Sequence, residues 1–178
     1  MVGGGEGAFI GAVHRLAAAM DGEIELVCGA LSSDAERSIR SGQGLHLDAD
    51  RIYPDYHTMM SHEAALPAQE RMQFVAIVTP NHMHFPVAVA ALRAGFHVMS
   101  DKPATLNLEE ALKLRTVVTD TGLLYGLTHT YTGYPLVKEA RDRIAAGELG
   151  AIRKILVEYP QGWLADRQED AAGVGLKV

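Results

Sequence analysis

An uninterrupted apolar run at residues 74–79 constrains the fold of this chain more than any other feature. Such a run is typical of a parallel strand that is covered on both faces. Apolar residues at helical spacing follow it, Gly95 stands where that helix has to end, and the next predicted strand covers residues 97–100. Strand, helix and strand in this order predict a βαβ unit with parallel strands.

The same alternation extends along the rest of the chain and predicts an α/β fold with a doubly wound parallel sheet. Ser33 and Glu36 form a capping-box pattern, which predicts that a helix begins there. The other predicted elements are helices over residues 9–20, 107–121 and 134–146, and strands over residues 24–31, 123–127 and 152–159.

Composition excludes some classes of function. A formal net charge of −6 without clustered Lys and Arg argues against a nucleic-acid-binding protein. No run is long enough to span a membrane, and no basic-then-apolar leader is present, so we predict no membrane partner. The single cysteine, Cys28, cannot form an internal disulfide and indicates a reducing compartment. We therefore expect a cytoplasmic protein.

Gly3, Gly5 and Ala8 have the spacing of a dinucleotide-binding fingerprint. Glycines let the backbone approach a pyrophosphate, and the next helix offers free amides and a positive dipole end. The alternative is a flexible glycine-rich terminus, which the regular elements that follow disfavour. Only Met1 and Val2 precede Gly3, whereas the fingerprint follows a strand. Our hypothesis is that the chain is a fragment or begins at a late start codon.

Polar residues follow two of the predicted strands at their carboxyl ends, where open α/β sheets bind ligands. Thr79, Pro80 and Asn81 follow one strand, and Asp101 and Lys102 follow the next. A positively charged lysine at this place can stabilise charge that develops on a reacting oxygen. The alternatives are that the lysine lies on the surface without a role and that the asparagine only caps the next helix.

These motifs resemble the amino-terminal part of the glucose-fructose oxidoreductase, inositol dehydrogenase and rhizopine catabolism group, usually abbreviated Gfo/Idh/MocA. The most specific segments are residues 79–84, 91–98, 101–103 and 147–152, and the resemblance extends to about Trp163. It implies a Rossmann-like NAD(P)-binding domain over residues 1–150 and the start of a second α/β domain over residues 151–178. It also implies hydride transfer between nicotinamide and a secondary hydroxyl of a sugar, cyclitol or related polyol.

The resemblance implies roles for individual residues. Residues 101–103, Asp-Lys-Pro, match the family's Glu-Lys-Pro signature, whose lysine lies near the nicotinamide and the substrate hydroxyl, so Lys102 is the first catalytic candidate. His84 matches a histidine common at that place. A metal site at His82 and His84 would need further convergent ligands, and we predict none. The cofactor-binding candidates from these loops are Thr79, Pro80, Asn81, His84, Asp101 and Lys102.

The end of the second strand bears on the choice of cofactor. Ser32 and Ser33 stand where an acidic residue would bind the ribose of NAD, and Arg37 follows one helical turn later. Hydroxyls and an arginine can receive a 2′-phosphate, so we predict NAD(P) and favour NADP. Asp34 is the alternative residue that would serve NAD, and Ser33 as a helix cap needs no cofactor.

His129 follows the strand at 123–127 and is the second catalytic candidate, because an imidazole suits proton transfer near neutral pH. Family members carry a second domain that supplies further catalytic residues, and residues 164–178 show no such elements. We therefore expect little turnover by this chain alone. The alternatives are a non-catalytic dinucleotide-binding module or an inactive fragment. An exposed strand at 152–159 could pair with another copy, which makes a homo-oligomer possible.

Overall fold

The computed structural model describes residues 1–160 and 162. Its strands are β1 (Val2–Gly3), β2 (Phe74–Val78), β3 (His97–Asp101) and β4 (Tyr125–Thr128). Its α-helices are α1 (Phe9–Ala19), α2 (Ala35–Gly44), α3 (Tyr56–Ala65), α4 (His84–Arg93), α5 (Leu108–Thr121) and α6 (Pro135–Ala145). Short 3-10 turns cover Ala49–Arg51, Asn81–Met83 and Thr130–Gly133.

The four strands form one parallel sheet in the order β1-β2-β3-β4. Single parallel bridges extend it beyond β1, since Ala30 pairs with Val2 and Ile52 pairs with Gly29. From one edge to the other, the six extended segments therefore lie in the chain order 3-2-1-4-5-6. This is the doubly wound order of dinucleotide-binding folds. The predicted fold class is confirmed.

Two predicted strands are wrong. In residues 24–31 only Gly29 and Ala30 make bridges, because the neighbouring β1 is two residues long and offers little backbone to pair with. Residues 152–159 are exposed and lie outside any strand. A strand needs a paired neighbour, and the described sheet ends at β4 on that side. The association that we expected from this segment stays a prediction.

Helix ends follow local side-chain chemistry. Asn107 caps α5 by accepting from Glu110 N at 2.9 Å, as predicted, and Gly122 ends it with a left-handed φ of 66°. The cap of α2 is Asp34, which accepts from Arg37 N at 2.7 Å, and not Ser33. The helix begins one residue later than predicted, so Asp34 is the residue that reaches the third amide.

The main core lies where β2 and β3 pack against α3, α4 and α5. Its fully or nearly buried residues include Met59, Val75, Ile77, Val87, Leu92, Phe96, Val98 and Leu114. One charged side chain lies among them, Glu63, which pairs with Arg51 at 2.6 Å. Burial of these apolar side chains stabilises the sheet that carries the strand ends.

Residue contacts divide the chain into two compact units, Met1–Tyr131 and Thr132–Val178. The sheet and α1 to α5 belong to the first unit, and α6 belongs to the second. The predicted domain boundary after residue 150 stays a prediction. Among the described residues, each helix is too short or too polar to cross a membrane.

Candidate functional site

The sheet reverses its direction of winding between β1 and β2, so the loops that follow these two strands diverge. Divergent loops open a crevice at the carboxyl ends of the strands, and ligands of doubly wound sheets bind there. The glycine loop, residues 3–8, follows β1, and residues 79–81 follow β2. The structure thus brings together two of the predicted cofactor-binding segments.

The glycine loop lies so close to its neighbours that side chains do not fit. A Cβ on Gly3 would lie 2.9 Å from the carbonyl oxygen of Val78, and φ there is 78°. A Cβ on Gly5 would lie 2.6 Å from Ser41 Oγ and 2.7 Å from Leu31 O. The loop is therefore held between the ends of β1, β2 and the second extended segment, and both predicted glycines are required by geometry.

Sequence reasoning missed Gly4, Gly11 and Arg15. A Cβ on Gly4 would lie 2.8 Å from Gly11 Cα, so the loop and the first turn of α1 are in backbone contact. Close helix–strand packing is the role of the third fingerprint position, which we had assigned to Ala8. Arg15 Nη1 donates to Gly4 O at 2.7 Å and fixes the loop from the side of α1. The available signal for Gly11 was a glycine inside a predicted helix.

The amino end of α1 has the chemistry that an anion needs. Its N-cap, Ala8, gives no side-chain hydrogen bond, and the first turn holds no acidic residue. Of the other helices, α4 and α6 also lack a side-chain cap, whereas α2, α3 and α5 are each capped by an Asp or Asn side chain. A cavity of about 690 Å³ opens here and includes Gly7, Arg15 and Arg40 in its lining. The uncapped amides and the positive end of the helix can bind a pyrophosphate, and the glycines leave room for it to approach the backbone.

Lys102 is exposed directly after β3, one strand beyond β2. Within the described residues no carboxylate lies within ion-pair distance of its ammonium. On either side of β3, the hydroxyls of Thr79 and Thr128 are buried and have no hydrogen-bond partner among the described residues. Thr128 lies in register with Asp101. Sequence reasoning did not single out Thr128, whose burial depends on the neighbouring strand.

His84 is oriented differently from our expectation. Its side chain is 1% exposed, with Nδ1 2.5 Å from Pro103 O and Nε2 2.9 Å from Thr79 O. Both ring nitrogens therefore face backbone carbonyls, and neither points to an open cofactor or metal position. In the described residues no group of three or more His, Cys, Asp or Glu is placed to hold a metal ion.

The end of the second extended segment presents hydroxyls and a cation. Ser32 Oγ accepts from Asp34 N at 3.1 Å, and Asp34 Oδ1 accepts from Arg37 N at 2.7 Å. The side chains of Ser33 and Arg37 are exposed. His129, the second catalytic candidate, is exposed directly after β4. The strand ends therefore carry Lys102 and His129 on neighbouring strands.

A family model described as an oxidoreductase family with an NAD-binding Rossmann fold, Gfo/Idh/MocA, matches residues 1–129. The chain belongs to the Gfo/Idh/MocA family. The resemblance drawn from residues 79–84 and 101–103 is thereby confirmed, and so is the NAD-binding Rossmann fold. The match includes the glycine loop, Lys102 and His129, so every predicted site residue lies within the family's domain.

Relatives of this Gfo/Idh/MocA chain include oxidoreductases and dehydrogenases. The uncharacterized oxidoreductase YfiI of Bacillus subtilis (strain 168) is 36% identical over 93% of this chain and 42% of its own length. Levoglucosan dehydrogenase of Pseudarthrobacter phenanthrenivorans is 35% identical over 52% of this chain and 24% of its own length. An inositol dehydrogenase homologue from Azotobacter vinelandii, solved with NADH and myo-inositol, superposes with a TM-score of 0.82 and 44% identity. That superposition covers 86% of this chain and 40% of the relative. The chain thus spans less than half the length of these relatives.

Proposed function

We propose that this chain is the NAD(P)-binding part of an oxidoreductase that transfers hydride between nicotinamide and a secondary hydroxyl of a sugar, cyclitol or related polyol. One observation carries the proposal: the glycine loop and the uncapped α1 lie at the reversal of the sheet, with Lys102 after β3. The substrate class is supported by the relatives, of which one is a levoglucosan dehydrogenase and another holds myo-inositol.

The dinucleotide is bound along the crevice from β1 to β3 in this proposal. Gly3, Gly5 and Ala8 give the pyrophosphate access to the amides of α1. Thr79 supplies a hydroxyl that lacks a partner in the described residues. Residues of the same loop would border the nicotinamide when the dinucleotide is bound. The other cofactor contacts that we propose in the loops after β2 and β3 are Pro80, Asn81, Asp101 and Lys102.

Nicotinamide, when bound, supplies the centre that accepts or gives the hydride. Lys102 donates a hydrogen bond from its ammonium to the substrate oxygen and stabilises the charge that grows there as the carbon–hydrogen bond breaks. His129 takes the proton of the hydroxyl, so that the alcohol loses one hydride and one proton and becomes a ketone. Both side chains are exposed at the ends of adjacent strands, which supports these roles.

The nucleotide is NAD(P), and we propose that Arg37 favours NADP. Ser32 and Ser33 bring no carboxylate to the adenosine ribose, and one oxygen of the Asp34 carboxylate caps α2. Exposed Arg37 can therefore pair with a 2′-phosphate. The Azotobacter relative was solved with NADH, so both nucleotides have to be measured.

A fluorescence titration with NADH and NADPH tests the proposal, after circular dichroism has shown that the chain is folded. We expect saturable binding that Lys102→Ala weakens. Lys113→Ala is the matched control, because Lys113 is exposed on α5 and pairs with Glu109. Absence of binding to a folded chain, or equal effects of both alanine variants, would contradict the proposal.

A further inference from the structure

His84, the first residue of α4, joins the two loops that border the proposed nicotinamide site. It is 1% exposed, whereas His82 in the preceding turn is exposed. Its ring lies between Thr79 O, at the end of β2, and Pro103 O, directly after Lys102. The ring thus links the carboxyl ends of two neighbouring strands.

Both partners of the ring are hydrogen-bond acceptors. A ring nitrogen of His84 that carries a proton donates to its carbonyl, and an imidazolium donates to both. A buried ring that donates to one carbonyl and packs its other nitrogen against a second has a fixed position and orientation. Reacting groups keep their geometry through such supporting side chains, and a misplacement of about 1 Å can cost about 10²-fold in rate.

We propose that His84 is a positioning residue that fixes Lys102 relative to the nicotinamide site through the carbonyl of Pro103. The inference rests on the proposed function, in which Lys102 contacts the substrate oxygen. The 2.9 Å contact of Nε2 with Thr79 O places the ring at the end of β2. The bond to Pro103 O holds the turn that follows Lys102. His84 acts behind the site and does not touch the dinucleotide.

Two variants separate the two bonds. In His84→Asn the amide nitrogen lies near the position of Nδ1, so it can still donate to Pro103 O. In His84→Gln the longer side chain places its nitrogen near the position of Nε2, so it can still donate to Thr79 O. The ¹³C carbonyl signals of Pro103 and Thr79 report each bond directly. We expect His84→Asn to preserve the first signal and His84→Gln to preserve the second.

Two readouts test the functional role. One is the amide signal of Lys102, and the other is the affinity for NADH or NADPH, whichever the wild type binds. His84→Gln shifts the amide signal of Lys102 and weakens binding about tenfold, which corresponds to about 1.4 kcal/mol. His84→Asn keeps the Lys102 signal and stays within about threefold in affinity. His82→Ala, which changes an exposed residue in the turn that precedes α4, leaves both readouts unchanged. A purely structural role predicts equal losses for the Asn and Gln variants, and that result overturns the proposal.

Two further measurements keep the test decisive. The first measurement uses the wild-type protein and follows solvent exchange of the proton on His84 Nδ1. A proton that bonds to Pro103 O exchanges slowly. A rapidly exchanging Nδ1 proton would overturn the proposal. If the wild type binds neither NADH nor NADPH, the proposed function fails. The Lys102 signals of the cofactor-free variants still decide the role of His84 in that case.

Discussion

Replacing Glu63 by Gln removes the one carboxylate that is fully buried among the described residues. Its oxygens accept from Arg51 Nε at 3.0 Å and Nη2 at 2.6 Å, from the Tyr53 hydroxyl at 2.8 Å and from Met72 N at 3.0 Å. An amide of the same volume keeps one oxygen and turns an NH₂ group toward the other donors. The substitution therefore leaves at least one of these four N–H or O–H donors facing the NH₂ group instead of an acceptor.

The magnitude follows from the exposure of the pair. Removal of one partner of a buried ion pair costs about 3–5 kcal/mol. The side chain of Arg51 is 18% exposed, so water recovers part of its interaction, and we expect the lower end, about 3 kcal/mol. For a chain of this size that corresponds to a melting temperature lower by about 6–12 °C.

Urea unfolding followed by circular dichroism measures the change in the free energy of unfolding. Glu36→Gln is the matched control, since its ion pair with Arg40 is 3.8 Å long and its side chain is 90% exposed. We expect no measurable effect of the control. A loss below about 1 kcal/mol for Glu63→Gln would refute the reasoning, because it would mean that the four bonds add little net stability.

The pH dependence gives a second measure of the same carboxylate. Burial raises the pKa of Glu63, but hydrogen bonds from Arg51, Met72 and Tyr53 outweigh burial and hold the pKa below its ordinary value of 4.5. A lowered folded-state pKa contributes stability that is present above the unfolded value and is lost as pH falls through the folded one. The difference in stability between wild type and Glu63→Gln should therefore be full at neutral pH and decrease below about pH 4.5.

Three further substitutions test other parts of the account. Gly5→Val should abolish NAD(P)H binding in titrations, because its Cβ would meet Ser41 Oγ at 2.6 Å, whereas Gly22→Ala, with open space around it and outside the cavity lining, should bind normally. Arg37→Ala should weaken NADPH binding about tenfold and NADH binding less than twofold, since the lost ion pair concerns only the 2′-phosphate; equal effects would exclude that role. Gly122→Ala should lower the free energy of unfolding by about 1 kcal/mol, because φ is 66° there, and an unchanged urea midpoint would contradict the strain.

Most of the elements were predictable because they depend on local signals, whereas α3 was not predicted. An apolar run predicted β2, the end of the next helix at Gly95 predicted β3, the Asn107 cap and Gly122 predicted the limits of α5, and the glycine spacing located the loop after β1. These signals act over a few residues, so a single sequence contains them. The family resemblance then added roles that spacing alone does not assign.

Long-range contacts were not predictable in the same way. Whether residues 24–31 pair depends on β1, and burial of the Thr128 hydroxyl depends on neighbouring strands. The inward orientation of His84 depends on a carbonyl 19 residues away. The pattern of residues 79–84 showed a histidine beside a binding loop, and only the folded chain shows that it faces the turn after Lys102.

Chemical-shift mapping of the ¹⁵N-labelled chain tests the central claim most directly. Addition of NADPH or NADH should move the amide signals of Gly5, Gly7, Thr79 and Lys102 together and leave those around Glu63 unchanged. That result would locate the dinucleotide at the reversal of the sheet, with the nicotinamide near β3. Shifts confined to another surface, or none at saturating nucleotide with a folded chain, would contradict a dinucleotide site at these strand ends.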